Sequence, residues 1–197
     1  MRDIDVRRAL RREVLRHHEG EPDTLVITEL GLRHGITRVD IAVVNGSIHG
    51  YEIKSDADTL ERLPSQIALY SAVLDKATLV VGERHAAKAV TLLPPWWGVK
   101  IATEGPRGGT SLRHVERGGI NPAIDPIAVA ELLWRSEAAD ALRRLDYPEK
   151  ALRQARGHLY RELAGAVSID GLRAIVRQAL KDRENWPRPR RLAPCGD

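Results

Sequence analysis

The sequence predicts an α/β fold, a mixed β-sheet flanked by helices, with a C-terminal helical subdomain. Three observations carry that expectation. Asn45-Gly46 joins two β-branched runs, which is a hairpin signal and requires an antiparallel pair. A helical stripe then leads to Ala77–Val81, a short run without charge, apolar but for Thr78, of the kind buried inside a sheet and reached by a crossover. Beyond a stretch rich in Gly, Arg and Pro, the pattern turns helical.

The elements follow in order. Residues 5–18 form the first helix, with Asp3 or Asp5 as cap; Val6, Ala9, Leu10 and Val14 share one face and five arginines occupy the other. That basic face is either solvated or set against phosphate. Glu19–Asp23 is a turn, and Thr24–Leu30 is a strand ending at Gly31. Thr37–Val44 and Ser47–Lys54 are the hairpin strands. Leu60, Leu63, Ile67, Tyr70 and Leu74 form a helical stripe, and Pro64 sets its start or a kink. Ala77–Val81 is a strand, His85–Leu92 a helix ending at Pro94-Pro95, and Val99–Thr103 a last strand. Helices follow at 126–145, 149–164 and 169–184; residues 186–197 hold three prolines and are expected to be disordered.

The chain has 197 residues, 43% hydrophobic and 29% charged, the composition of a folded soluble domain. No run approaches the ~18 apolar residues of a membrane span, and the N-terminus lacks a signal-peptide core. Cys195 is the single cysteine, which excludes an internal disulfide or a multi-cysteine zinc site. A cytoplasmic location is expected. The net charge of +4 is uneven: residues 1–104 carry −1 and residues 105–197 carry +5. Of 31 basic residues 25 are arginine, which favours bidentate phosphate contacts.

Four charged groups converge on the hairpin: Glu29, Asp40, Glu52 and Lys54. Asp40 interrupts an apolar strand, and Glu52 and Lys54 point to one side of the next. Charge in a buried strand is costly unless paired or metal-bound. Phosphodiester hydrolysis uses such a set: hard oxygen ligands hold Mg²⁺, a bound water becomes the nucleophile, and an ammonium orients it. A surface hairpin in which Glu52 and Lys54 pair with neighbours would share the pattern.

Asp40, with Glu52-Ile53-Lys54 twelve residues on, resembles the signature of the PD-(D/E)XK, or restriction-endonuclease-like, nuclease superfamily. The order α-β-β-β-α-β around it is also similar to that superfamily's core. Gln66 and Tyr70, one helical turn apart, resemble the Q-x-x-x-Y motif of its RecB-like and Cas4-like branch. Glu29 resembles a further acidic residue that many members contribute, although many carry it on the first helix. Arg38-Val39 stands where the motif's proline is usual. Segments around Asp40, Glu52 and Leu133–Ala138 also look like a bacterial family that spans the whole chain.

The resemblance implies a nuclease-like core at 1–104; composition and periodicity add a linker or flap at 105–122, a helical subdomain at 123–185 and a tail at 186–197. It implies a DNase dependent on Mg²⁺ or Mn²⁺, leaving 5′-phosphate and 3′-hydroxyl ends in DNA repair, processing or defence against foreign DNA. Asp40, Glu52 and the Ile53 carbonyl would hold the ion, with Glu29 as an outer or second-ion ligand. Asp40, Glu52, Lys54, Gln66 and Tyr70 would form the catalytic set. Arg38, Arg153, Arg156, Arg161, Arg173 and Arg177 would contact phosphates. The alternative is a non-cleaving nucleic-acid-binding or assembly module on the same fold. DNA is the expected partner, a homodimer is possible, and neither a membrane nor an organic cofactor is expected.

Other candidates are weaker. The seven histidines lack metal-ligand spacing, and no nucleophile elbow or phosphate loop is present. Gly105–Gly109 and Arg117-Gly118-Gly119 read as linker before phosphate cradle. Trp96-Trp97 reads as an anchor before a base-stacking platform. Residues 149–184 read as a packing subdomain before a helix-turn-helix. The hairpin sets a geometric condition. A two-residue turn would put Asp40 and Glu52 on opposite faces. A metal site therefore requires an odd loop or a bulge, such as a loop of Val44-Asn45-Gly46 with left-handed Gly46, placing Asp40 opposite Gly50, with room for the ion.

Overall fold

The computed structural model describes residues 1–18, 20–106 and 108–183. Six strands form one mixed sheet in chain order: β1 Leu25–Leu32, β2 Thr37–Val44, β3 Ile48–Lys54, β4 Lys76–Gly82, β5 Gly98–Glu104 and β6 Thr110–Glu116. Neighbours β1–β2, β2–β3 and β5–β6 are antiparallel, whereas β3–β4 and β4–β5 are parallel. Helices α2 (Leu63–Ser71) and α3 (Glu83–Val90) make the two crossovers. The α/β class, the mixed sheet and the C-terminal helices are as the sequence predicts.

Helix α1 (Asp3–Glu13) covers one face, where Val6 and Leu10 pack with Ile41, Val43, Tyr51 and Ile53. The larger apolar cluster lies on the other face. There α2 and α3 meet α4 (Pro126–Ala130), α5 (Arg135–Arg143), α6 (Glu149–Leu152), α7 (Arg156–Ala166) and α8 (Ile169–Asp182) in one continuous core. The C-terminal helices therefore complete the sheet's second layer. Among the described residues, no helix is long and apolar enough to cross a membrane.

Three expectations are corrected. The supposed linker at 105–122 contains β6: Gly105 N–H donates to the Gly109 carbonyl at 2.8 Å and Gly108 takes φ 77, so the glycines form a hairpin turn. The helix expected over 126–145 breaks between α4 and α5, where Trp134 is extended and its N–H donates to Glu137 at 2.6 Å. The hairpin loop is odd, as the shared-site argument requires, but it comprises Asn45-Gly46-Ser47, pairing Val44 with Ile48. Gly46 is not left-handed; the Ser47 N–H donates to Asn45 Oδ1 at 3.2 Å instead. Gly50 pairs with Ala42, and a Cβ there would run into the Leu74 side chain, so it makes room for the core and not for an ion. The tail at 186–197, with Cys195, lies outside the described residues.

Candidate functional site

The site begins with a slip in apolar alternation. Ile27 pairs with Ala42, and Leu30 with Val39, and all four belong to the larger cluster although the two positions lie three apart on each strand, an odd spacing. Thr28 and Ile41 pair between them, so Glu29 and Asp40 are a surplus residue on each strand, absent from the Cα pairing. Glu29 takes φ 59, a conformation uncommon for any residue but glycine. The β2–β3 register also stops here, at Ile41 with Tyr51. Beyond it, the Ile53 N–H donates to Asp40 Oδ2 at 2.8 Å.

Glu52 and Lys54 project from β3 with only 1% and 6% exposure. Lys54 Nζ donates to Glu52 Oε1 at 2.5 Å. The Tyr70 hydroxyl of α2 lies 2.6 Å from Glu52 Oε2 and 2.5 Å from the Arg38 carbonyl oxygen. Burial, reinforced by the charge of Asp40, raises the Glu52 carboxyl above its ordinary pKa, while Lys54 and Tyr70 oppose the shift. Burial and the neighbouring Glu52 likewise push the Tyr70 phenol up, so it stays a donor. The ring of Tyr70 stacks on buried Trp97, centroids 6.0 Å apart, so Trp97 anchors the site's support and does not offer a base platform.

Asp40 and Glu52 line one cavity of about 430 Å³, together with Glu29, Ile53, Lys54 and Gln66. Among the described residues, five carboxylates and four cations surround it. Gln66 Oε1 is buried there without a hydrogen-bond partner. Arg7 was legible only as part of the basic face of α1; it donates to Asp40 Oδ1 at 2.6 Å and to Asp3 at 2.7 Å. It also stands 3.8 Å from Glu29, whose other oxygen is 3.9 Å from Arg38. Its role depends on a tertiary contact that no local pattern announces. Arg62 and Asp58 complete the rim without a sequence signal of their own.

Asp40, Glu52, Glu29, Ile53 and Gln66 line the same space and carry the hard oxygen donors that a divalent cation takes, and Gln66 Oε1 has no partner. Among the described residues, no group of three or more His, Cys, Asp or Glu is gathered as a ready metal cage. Such a ligand set suits Mg²⁺, which retains several waters.

Of the proposed phosphate contacts, only Arg38 lines the cavity. Arg153, Arg156 and Arg161 are exposed and Arg177 is partly buried on the C-terminal helices. Arg173 is already committed: it pairs with Asp75 at 2.9 Å and Asp170 at 3.1 Å, tying α8 to the sheet.

A family model described as bacteriophage P4 protein cII matches residues 8–186, which takes in Glu29, Asp40, Glu52, Lys54, Gln66 and Tyr70. Protein cII of Enterobacteria phage P4 is 24% identical over 161 residues, covering 82% of this chain and 60% of that relative. The chain thus spans less than two thirds of the length of the curated relative it matches. No solved structure matches.

Proposed function

The chain belongs to the bacteriophage P4 protein cII family, and from that premise we propose that its cavity is a divalent-metal-dependent phosphodiesterase site acting on DNA. The observation that carries the reading is the buried Glu52–Lys54 pair beside Asp40 at one polar cavity. A stabilising ion pair has no need of a cavity, and an isolated buried pair is a poor source of stability. The strand order and the Tyr70 contact to Glu52 also support the likeness to PD-(D/E)XK nucleases.

In this reading Asp40, Glu52 and the Ile53 carbonyl hold Mg²⁺ or Mn²⁺, with Glu29 outside them. The ion supplies charge neutralisation and an acidified water. Lys54 orients the attacking water and offsets charge on the phosphate oxygens. Tyr70 fixes the Glu52 carboxylate, and Gln66 offers its free oxygen to a water proton. Arg38 and Arg7 face the cavity as phosphate contacts. Arg153, Arg156, Arg161 and Arg177 supply sequence-independent affinity from the basic half.

The test incubates the full chain with linear, circular and single-stranded DNA, with Mg²⁺, Mn²⁺ or EDTA. Cleavage giving 5′-phosphate and 3′-hydroxyl ends is expected, abolished by EDTA and by Asp40→Asn. Lys54→Ala should retain metal binding and lose turnover by about 10²-fold or more. Equal cleavage by Asp40→Asn and wild type would refute the site. One observation favours the second reading, a binding module that does not cut: Arg7 already occupies Asp40 Oδ1. Salt-sensitive DNA binding without cleavage under any metal would select it.

A further inference from the structure

A second cavity, of about 450 Å³, lies at the opposite end of the parallel strands. Glu52 and Lys54 close β3, whereas His49 lies near its start and Lys76 opens β4. Lys76, Lys100 and Arg117 all enter this wall, and among the described residues no carboxylate does. None of the three cations makes an ion pair among the described residues. Glu13, whose field reaches Lys100, is itself held by Arg12 and by the Leu112 N–H.

The wall is built in depth. Thr78, 6% exposed, has its hydroxyl 2.9 Å from His49 Nε2, and the Tyr51 hydroxyl lies 3.3 Å from His49 Nδ1. Burial, and then the charges of Lys76, His18 and Lys100, drop the His49 pKa to about 4. His114 on β6 is lowered by burial and by Lys100. The space is thus positive even without its histidines. Arg117 is placed by its glycines: Gly119 N–H donates to the Trp96 carbonyl at 2.9 Å, and Gly118 approaches the Gly98 backbone too closely for any Cβ. The Arg-Gly-Gly run that reads as linker is strapped to the sheet end.

We propose that this cavity binds a free nucleotide, its phosphates held by Lys76, Lys100 and Arg117 and its base or sugar set against Val14, Ala77 and Tyr51. Three cations lining one recess suit a compact polyanion, whereas a nucleic-acid strand requires a track of charge. The volume falls within the ~300–1,000 Å³ of small-molecule sites and far exceeds the needs of a bare phosphate. The proposal is independent of the activity assigned to the other site.

Isothermal titration calorimetry of the full chain tests it, with AMP, ADP, inorganic phosphate and a short single-stranded oligonucleotide as probes. ADP is expected to bind saturably and more tightly than phosphate. Lys76→Gln and Lys100→Gln should each weaken it about tenfold, the loss of one charge-assisted hydrogen bond. Lys88→Gln, on the exposed face of α3, should leave it unchanged, with circular dichroism confirming the fold of every variant. Absence of saturable nucleotide binding, equal affinity in the Lys76→Gln/Lys100→Gln double variant, phosphate binding as tight as ADP, or binding of the oligonucleotide alone would each overturn it.

Discussion

Tyr70→Phe isolates the hydroxyl that connects α2 to the two strands of the site. The ring stays, so its stack on Trp97 and its share of the core are kept. What is lost is one donor set between Glu52 Oε2 at 2.6 Å and the Arg38 carbonyl at 2.5 Å. A hydrogen bond to a charged group is worth about 1.5–3 kcal/mol, and the carbonyl left unsatisfied adds to the loss, so about 2–4 kcal/mol is expected. At this chain length that lowers Tm by about 5–10 °C. The deficit should also depend on pH. Burial and the Asp40 charge raise folded Glu52, and Tyr70 pulls it back. A carboxyl whose folded pKa is raised stabilises the fold below its unfolded value, and that contribution disappears as pH rises through the folded value. Removing the hydroxyl raises the folded value further. The deficit of Tyr70→Phe should therefore be smallest near about pH 4.5 and grow toward about pH 8. Urea unfolding followed by circular dichroism at both values measures it. A deficit under about 0.5 kcal/mol, or one that shrinks as pH rises, would refute the coupling of Tyr70 to an ionisable Glu52.

Two further outcomes follow from the same geometry. Gly50→Ala should cost about 1–3 kcal/mol in urea unfolding, because its Cβ meets Leu74 and Val39 in a filled core; a neutral result would mean that the core yields there. Arg7→Gln removes the cation nearest Asp40, so Mn²⁺ affinity measured by calorimetry should rise about tenfold; unchanged affinity would separate Asp40 from the metal site.

Legibility followed the range of the interactions. The bounds of β2 were readable because an apolar run and a turn signal are local. So was the odd loop, since between regular strands it puts Asp40 and Glu52 on one face, where an even loop without a bulge would not. The loop's position was not, because the Asn45 side chain caps Ser47 and moves the pairing along by one residue. β6 was hidden by glycines that serve a turn, and its hold on α1 is long-range: Arg12 donates to the Thr110 carbonyl at 2.6 Å. Arg7 looked like every other arginine on its helix until the fold set it against Asp40.

The surplus pair at Glu29 and Asp40 explains how a carboxylate survives in this strand. With unbroken alternation, Asp40 would point with Ala42 and Val44 into the larger apolar cluster, and Val39 would turn away from it. Burying an unpaired carboxylate there costs several kcal/mol. The slip instead keeps Val39 in the core and leaves Asp40 partly exposed, its side chain at 19%, between Arg7 and the Ile53 N–H. Its cost is the left-handed backbone of Glu29, of order 1–3 kcal/mol. The smaller penalty therefore replaces the larger one. It also delivers Asp40 to the point where β2 and β3 part, next to Glu52. A strand needing only stability would have solved the problem with an apolar residue at position 40 and no slip at all. Retaining both the charge and the strained partner instead sets the Asp40 carboxylate between the Arg7 guanidinium and the Ile53 N–H, where β2 and β3 separate.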